Sequence, residues 1–149
     1  LSRMNKMFAE KKVQKTYWAV TEKPPQPAKG SLENHLQKNE KQNKSYVTKG
    51  QGKFAELAYQ VLGKSDRYTL VEVYPKTGRH HQIRVQLSHI GAIIKGDLKY
   101  GAKRSNKDGS IHLLARKIEF IHPVKKEAVS IVANPPEDPV WDYFKQSFA

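Results

Sequence analysis

Three periodicities succeed one another along the chain. Leu1, Met4, Met7 and Phe8 recur at helical spacing, which predicts the last turns of a helix over residues 1 to 11. From Val13 the period falls to two. Val13, Lys15, Tyr17 and Ala19 lie on one side of an extended segment and Gln14, Thr16, Trp18 and Val20 on the other, so a strand with two different faces is predicted as far as Thr21. Pro24-Pro25-Gln26-Pro27 ends it. Ser31 to Leu36 predicts a short strand, and Lys38 to Lys44, which lacks hydrophobic anchors, a polar loop. Phe54 to Leu62 and Tyr68 to Tyr74, joined by Gly63-Lys64-Ser65-Asp66, predict an antiparallel hairpin.

The helical period returns at His80, with Ile83, Leu87 and Ile90 at i, i+4 and i+7 and Gly91 placed as a C-terminal stop. Arg84 is one residue round from Ile83. Its guanidinium therefore sits at the edge of the buried stripe, where it suits a buried partner. Ile111 to Ile121 and Ala128 to Ala133 predict a second hairpin across Pro123-Val124-Lys125-Lys126. Pro135 to Pro139 leads into a terminal helix over about residues 137 to 148, with Val140, Trp141, Phe144 and Phe148 toward the core. Phe54 and Phe120 are also assigned to the core. The sum is an α+β domain, a mixed, mostly antiparallel sheet with flanking helices.

Composition adds a partner to this picture. A length of 149 residues with 38% hydrophobic content supports one domain with a real core. The formal charge of +13 and a pI near 9.9 come from Lys and Arg spread along the chain, and they predict a polyanionic partner. Nucleic acid is favoured over a membrane, because no apolar run approaches the roughly 20 residues of a spanning helix. The absence of cysteine removes disulfides, thiolate metal sites and a cysteine nucleophile, and it agrees with a reducing, cytoplasmic setting. The chain opens on Leu1-Ser2-Arg3 without a targeting segment, and it is expected to be a piece of a longer protein.

Candidate chemistry concentrates between Lys76 and Gly101. Cations, imidazoles and an amide are gathered there in Arg79, His80, His81, Gln82 and Arg84. His80 and His81 do not read as a metal pair, because neighbours on a helix point about 100° apart and no H-E-x-x-H or Cys/His spacing follows. The basic loop Lys95, Lys99, Lys103, Arg104 and Lys107, with Tyr100 inside it, reads either as a phosphate-contacting surface or as a solvated loop.

These residues resemble a known family. Thr77-Gly78-Arg79, His81-Gln82-Ile83-Arg84, Gly91 and Gly96-Asp97 with Tyr100-Gly101 are similar to the third signature of the RluA class of RNA pseudouridine synthases. That signature reads close to T-G-R-x-H-Q-I-R-x-H, then a helix end, then G-D-x-x-Y-G. Lys15 to Ala19 resembles the family's K-x-Y-x-A strand, and Leu113 to Pro123 its L-H-A-x-x-L-x-F-x-H-P segment. Gln86 and Leu114 replace two of the family's histidines. The first signature, H-R-L-D-x-x-T-S-G, with the essential aspartate, is not in this sequence, and it is expected upstream of Leu1.

The resemblance implies a reaction and a set of roles. The chain would be the C-terminal portion of one pseudouridine synthase catalytic domain, spanning residues 1 to 149 and incomplete at its N-terminus. It would isomerise uridine to pseudouridine in structured RNA, ribosomal RNA before transfer RNA, without a cofactor or metal, once the missing segment supplies the aspartate. Arg84 would hold that carboxylate ionised and aimed. Tyr17 would stack on the extruded base and help remove its C5 proton. Arg79, His81, Gln82, Ile83, Lys95, Lys99 and Tyr100 would contact substrate. The alternative is a relative that lacks the aspartate and binds RNA without modifying it. A fragment deprived of sheet neighbours is also expected to self-associate.

Overall fold

The computed structural model describes residues 13–148, without the side chain of the last of these. Seven strands, β1 (Gln14–Thr21), β2 (Lys29–Asn39), β3 (Lys44–Thr48), β4 (Lys53–Lys64), β5 (Thr69–Pro75), β6 (Leu113–Ile121) and β7 (Ala128–Val132), form one sheet in the order β3-β2-β4-β5-β1-β6-β7. Each pairing is antiparallel, so the described sheet is the antiparallel limit of the expected architecture. The helices are α1 (Gln82–His89) and α2 (Pro139–Phe148), with a 3-10 turn at Leu98–Tyr100 between β5 and β6. The helix predicted over residues 1 to 11 lies outside the described residues.

The two faces read from the alternation in β1 are the two sides of the core. Ala19 packs with Leu57, Val71, Val73 and the Ile83 and Leu87 stripe of α1, while Trp18 and Val20 pack with Leu70 and the Trp141 and Phe144 of α2. The sheet is thus covered by a different helix on each face, an arrangement of three layers. Tyr17 shares the α1 face with Ala19. A register shift between Thr16 and Tyr17, where β1 meets β6, twists this strand locally beside the α1 side.

Three expectations need correction. The polar loop placed at Lys38 to Lys44 is a hairpin turn only over residues 40–43, because β2 continues to Asn39 and pairs with β3, which pattern alone did not reveal. β3 is an edge strand in which Val47 is the one aliphatic residue turned inward, so its hydrophobic signal is nearly absent. Phe54 is 41% exposed, because α2 covers the β5-β1 part of the sheet and stops short of β4's far end. Phe120 is half-buried instead of enclosed.

Candidate active site

The end of α1 is fixed by backbone geometry. Gly91 takes φ 84°, its N–H donates to Ser88 O, and the N–H of Ala92 donates to Leu87 O, which together close the helix in a Schellman turn. The beginning of α1 has no Ser or Asp cap. The Gln82 side chain instead fixes the loop that leads into the helix, with Oε1 accepting from Thr77 Oγ1 at 2.7 Å and Arg79 N at 3.0 Å and Nε2 donating to Glu56 O at 3.0 Å. These bonds staple the 76–81 loop to β4. His81, the residue before α1, sits in the left-handed region at φ 53°.

A cleft of about 560 Å³ opens beside this loop. Its lining includes Tyr17 from β1, Arg79 and His81 from the loop, and Gln82, Ile83 and Arg84 from the first turn of α1. Val13 and Lys15, which share Tyr17's side of β1, line it too, as does Leu113 of β6. The alternation of β1 and the start of α1 therefore converge on one concavity. Among its described lining residues are four Lys or Arg side chains (Lys15, Lys76, Arg79, Arg84) and no carboxylate.

Arg84 is held from below. Its Nε donates to Asp97 Oδ2 at 2.9 Å and its Nη2 to Asp97 Oδ1 at 2.8 Å, a bidentate pair in which the Asp97 side chain is 1% exposed and that of Arg84 20%. The guanidinium carbon also stands 5.0 Å from the centre of the Tyr100 ring. Two sides of the guanidinium are thus engaged by the fold, and its Nη1 edge has no partner among the described residues. Asp97 depends on Gly96 for its position. At φ 87° a Cβ on Gly96 would lie 2.7 Å from Asn106 Nδ2 and 2.8 Å from Ser110 O, so only glycine lets the turn close there.

His81 is clamped as well. Its ring stacks on His80 with centroids 3.8 Å apart, and its Nδ1 is 2.8 Å from Tyr100 Oη. Burial, with the nearby charge of Arg84 and then His80 and Lys99, pulls its pKa down to about 4, so the ring is neutral at physiological pH. His80 is lowered in the same direction by burial and by Lys38.

The structure gives several predicted contact residues other work. Gln82 lines the cleft with its amide engaged on both ends, so within the fold it shapes the loop. Tyr100 is 6% exposed and its hydroxyl accepts from Ser45 N at 2.8 Å, which places it behind the cleft. Lys95 Nζ donates to Asn106 Oδ1 at 2.6 Å, and Lys99 Nζ donates to Gln42 O at 3.1 Å and Asn43 O at 3.0 Å; neither lines the cleft. Ile83 is 7% exposed and serves as apolar wall. The residue that sequence reasoning missed is Asp97. The sequence offers it only within the Gly96-Asp97 stretch of the signature, and the further signal is an acid in a strongly basic segment. Among the described residues no three His, Cys, Asp or Glu side chains gather as a metal site, and no helix is long and apolar enough to cross a membrane.

Comparisons with known proteins bear on the same stretch. The model of the RNA pseudouridylate synthase family matches residues 1–89. The ribosomal large subunit pseudouridine synthase C of Buchnera aphidicola subsp. Schizaphis graminum is 38% identical over 95% of this chain and 46% of its own length. The tRNA pseudouridine synthase C of Haemophilus influenzae is 30% identical over 97% of this chain and 68% of its own. The solved structure of human RNA Pseudouridylate Synthase Domain Containing 4 superposes with a TM-score of 0.76 at 24% identity, covering 99% of this chain and 67% of that one, a likeness of fold. The chain spans about half the length of the Buchnera relative and 43% of an uncharacterized RNA pseudouridine synthase of Bacillus subtilis.

Proposed function

Since the chain belongs to the RNA pseudouridylate synthase family, we propose that it forms the C-terminal part of a catalytic domain that isomerises uridine to pseudouridine in structured RNA, ribosomal RNA first, in the cytoplasm. The observation that carries this reading is the presence of Tyr17 and Arg84 in one cleft, with Arg84 aimed by a buried carboxylate on one edge and open on another. In this reaction the C1′–N1 bond breaks, the uracil turns while bound, C1′ joins C5, the C5 proton leaves and N1 takes up a proton. Atoms and charge balance without a redox partner.

Each group at the cleft has work to do in that sequence. A carboxylate supplied by an H-R-L-D-like segment upstream of Leu1 would bind at the free edge of Arg84, whose charge would keep it ionised. The Tyr17 ring would offset part of the stacking lost when the base leaves its helix, about 1–3 kcal/mol by aromatic contact. The Tyr17 hydroxyl would accept the C5 proton directly or through a water. Arg79, at the lip of the cleft with its Nε bonded to Phe54 O at 2.8 Å, would meet a phosphate. A second reading, a relative that binds RNA without modifying it, is favoured by one observation: the described lining residues include no carboxylate.

A tritium-release assay separates them. With RNA labelled at uridine C5, release by a protein extended upstream through an H-R-L-D-like segment, and none by residues 1 to 149 alone, is the expected result. Release by neither, with salt-dependent RNA binding by both, would establish the binder.

A further inference from the structure

Behind the cleft a short chain of hydrogen bonds runs from the backbone of β3 to the ring of His81. Ser45 N donates to Tyr100 Oη at 2.8 Å, and Tyr100 Oη is 2.8 Å from His81 Nδ1. Tyr100 is buried, and its hydroxyl has one proton to place. The Ser45 N–H cannot accept that proton, and among the described residues His81 Nδ1 is the acceptor in reach. Tyr100 is therefore the donor and Nδ1 the acceptor. The imidazole of a neutral histidine then carries its own proton on Nε2. That atom has no partner among the described residues, and it belongs to a side chain that lines the cleft, whereas Tyr100 does not. The ring is kept from rotating by the stack on His80, which Ser45 Oγ anchors through His80 Nδ1 at 2.8 Å and His80 O at 2.9 Å.

We propose that His81 is a fixed, neutral donor whose Nε2–H binds a carbonyl oxygen of the pyrimidine in the cleft, and that Tyr100 and Ser45 act through it as positioning residues by locking its tautomer. The inference rests on the reading of the cleft as a uridine site and names one contact of that site. A neutral N–H matches a carbonyl oxygen, while the phosphate is better served by the charged Arg79 at the lip. The depressed basicity of the ring fits this role, because an imidazolium would add a further cation beside Arg84. His81 holds a left-handed backbone at φ 53°, and Asn is the replacement other than glycine that tolerates it best.

The test is nitrogen-15 NMR of the histidine rings in the folded chain, with the His81 signals identified by their loss in His81→Asn. The expected result is an acceptor-type Nδ1 and a protonated Nε2, unchanged between pH 7.5 and about pH 5.5, with Tyr100→Phe giving mixed tautomers or a ring that titrates in that range. A protonated Nδ1, a His81 that titrates near its ordinary value, or a tautomer untouched by Tyr100→Phe overturns the inference. Adding an RNA hairpin with loop uridines should shift the Nε2 resonance, and the same hairpin with abasic loop positions should not. Equal shifts with both would assign the contact to phosphate and overturn the carbonyl assignment. These readouts do not depend on turnover. Pseudouridine formed by an extended protein with the wrong His81 tautomer would sink this inference alone, and the correct tautomer without pseudouridine would sink the functional reading alone.

Discussion

At the scale of single residues the site turns on one ion pair. Asp97 and Arg84 come from a turn and a helix 13 positions apart, and both are largely withdrawn from water. Removing one member of such a pair leaves an uncompensated charge, which typically costs about 3–5 kcal/mol when fully buried. Arg84 is partly exposed, so Asp97→Asn is expected to lower stability by about 2–3 kcal/mol in urea unfolding. In the extended protein it should also depress tritium release more than RNA affinity, because Arg84 would lose its aim and keep its charge. Unchanged stability would mean that solvent already compensates the pair. Arg84→Lys tests the other half, since an ammonium cannot engage Asp97 and a second carboxylate along two edges. Its expected outcome is a loss of release of about a hundredfold with folding retained, checked by comparing melting and single-turnover rates.

At the scale of elements, the parts of the fold with strong periodicity were legible and the parts held by turns were not. Trp18 and Val20 against Tyr17 and Ala19 could be read as two faces because β1 is central and each face is buried by a different helix. β3 was hidden because an edge strand buries little, and Phe54 was misassigned because hydrophobicity does not say which part of a face a helix covers. For the site, the resemblance of Lys15 to Ala19 and of His81 to Arg84 to the family's motifs marked Tyr17 and Arg84, and the β1 alternation and the α1 stripe, with Gly91 as its stop, placed them on their elements; the roles of Gln82, Asp97 and Tyr100 follow from the 76–81 loop and the Gly96 turn. Both are set by backbone dihedrals that pattern alone does not encode.

The docking of α2 is a further product of turns. Asp138 Oδ2 accepts from Val140 N and Trp141 N, both at 3.0 Å, and from His112 Nε2 at 2.8 Å, so one carboxylate caps the helix and ties it to the strand-β6 approach. His112 stacks on Trp141, and its Nδ1 is 2.9 Å from Asn106 Nδ2 in the loop beyond Gly96. Asp138→Ala is expected to cost about 1–2 kcal/mol from the cap alone, measured by urea unfolding. Asp138→Asn, which preserves the cap, should recover most of the loss; failure to recover would show that the His112 bond dominates.

At the scale of the whole molecule, charge sets the pH range of the fold and, in the proposed function, its grip on RNA. Burial lowers the basicity of His80, His81 and His112, in His80 and His81 with help from nearby cations and in His112 against the pull of Asp138. Each folded-state value lies below the ordinary 6.5 of the unfolded chain, so the unfolded chain binds more protons as pH falls through that value. Stability is therefore complete above about pH 6.5 and declines toward about pH 4, where His81 itself titrates. Melting temperatures should hold between pH 7.5 and about 6.5 and then fall toward about pH 5, less steeply in His81→Asn; a profile flat throughout would refute the assignment.

Above pH 6.5 the +13 charge remains, and its distribution over the basic loop predicts how RNA is held. Lys95 is bonded to Asn106 and Lys99 to the 42–43 carbonyls, so both brace the loop from within. Lys103, Arg104 and Lys107 are exposed on the same loop and are the residues left to meet phosphates. Each phosphate contact releases counterions and steepens the fall of affinity with salt, by about 0.7 to 0.9 in the logarithmic slope. Replacing Lys103, Arg104 and Lys107 together by Ala should therefore flatten that slope by roughly 2 to 3 and weaken binding most at low salt. Chemistry in already bound complexes should be unchanged. Lys95→Ala should lower stability and leave the slope nearly intact, because its ammonium is already engaged with Asn106. Titrations of a fluorescent RNA hairpin at four salt concentrations decide the matter: an unchanged slope in the triple variant would remove this loop from the RNA path and leave Arg79 and the cleft as the contact surface.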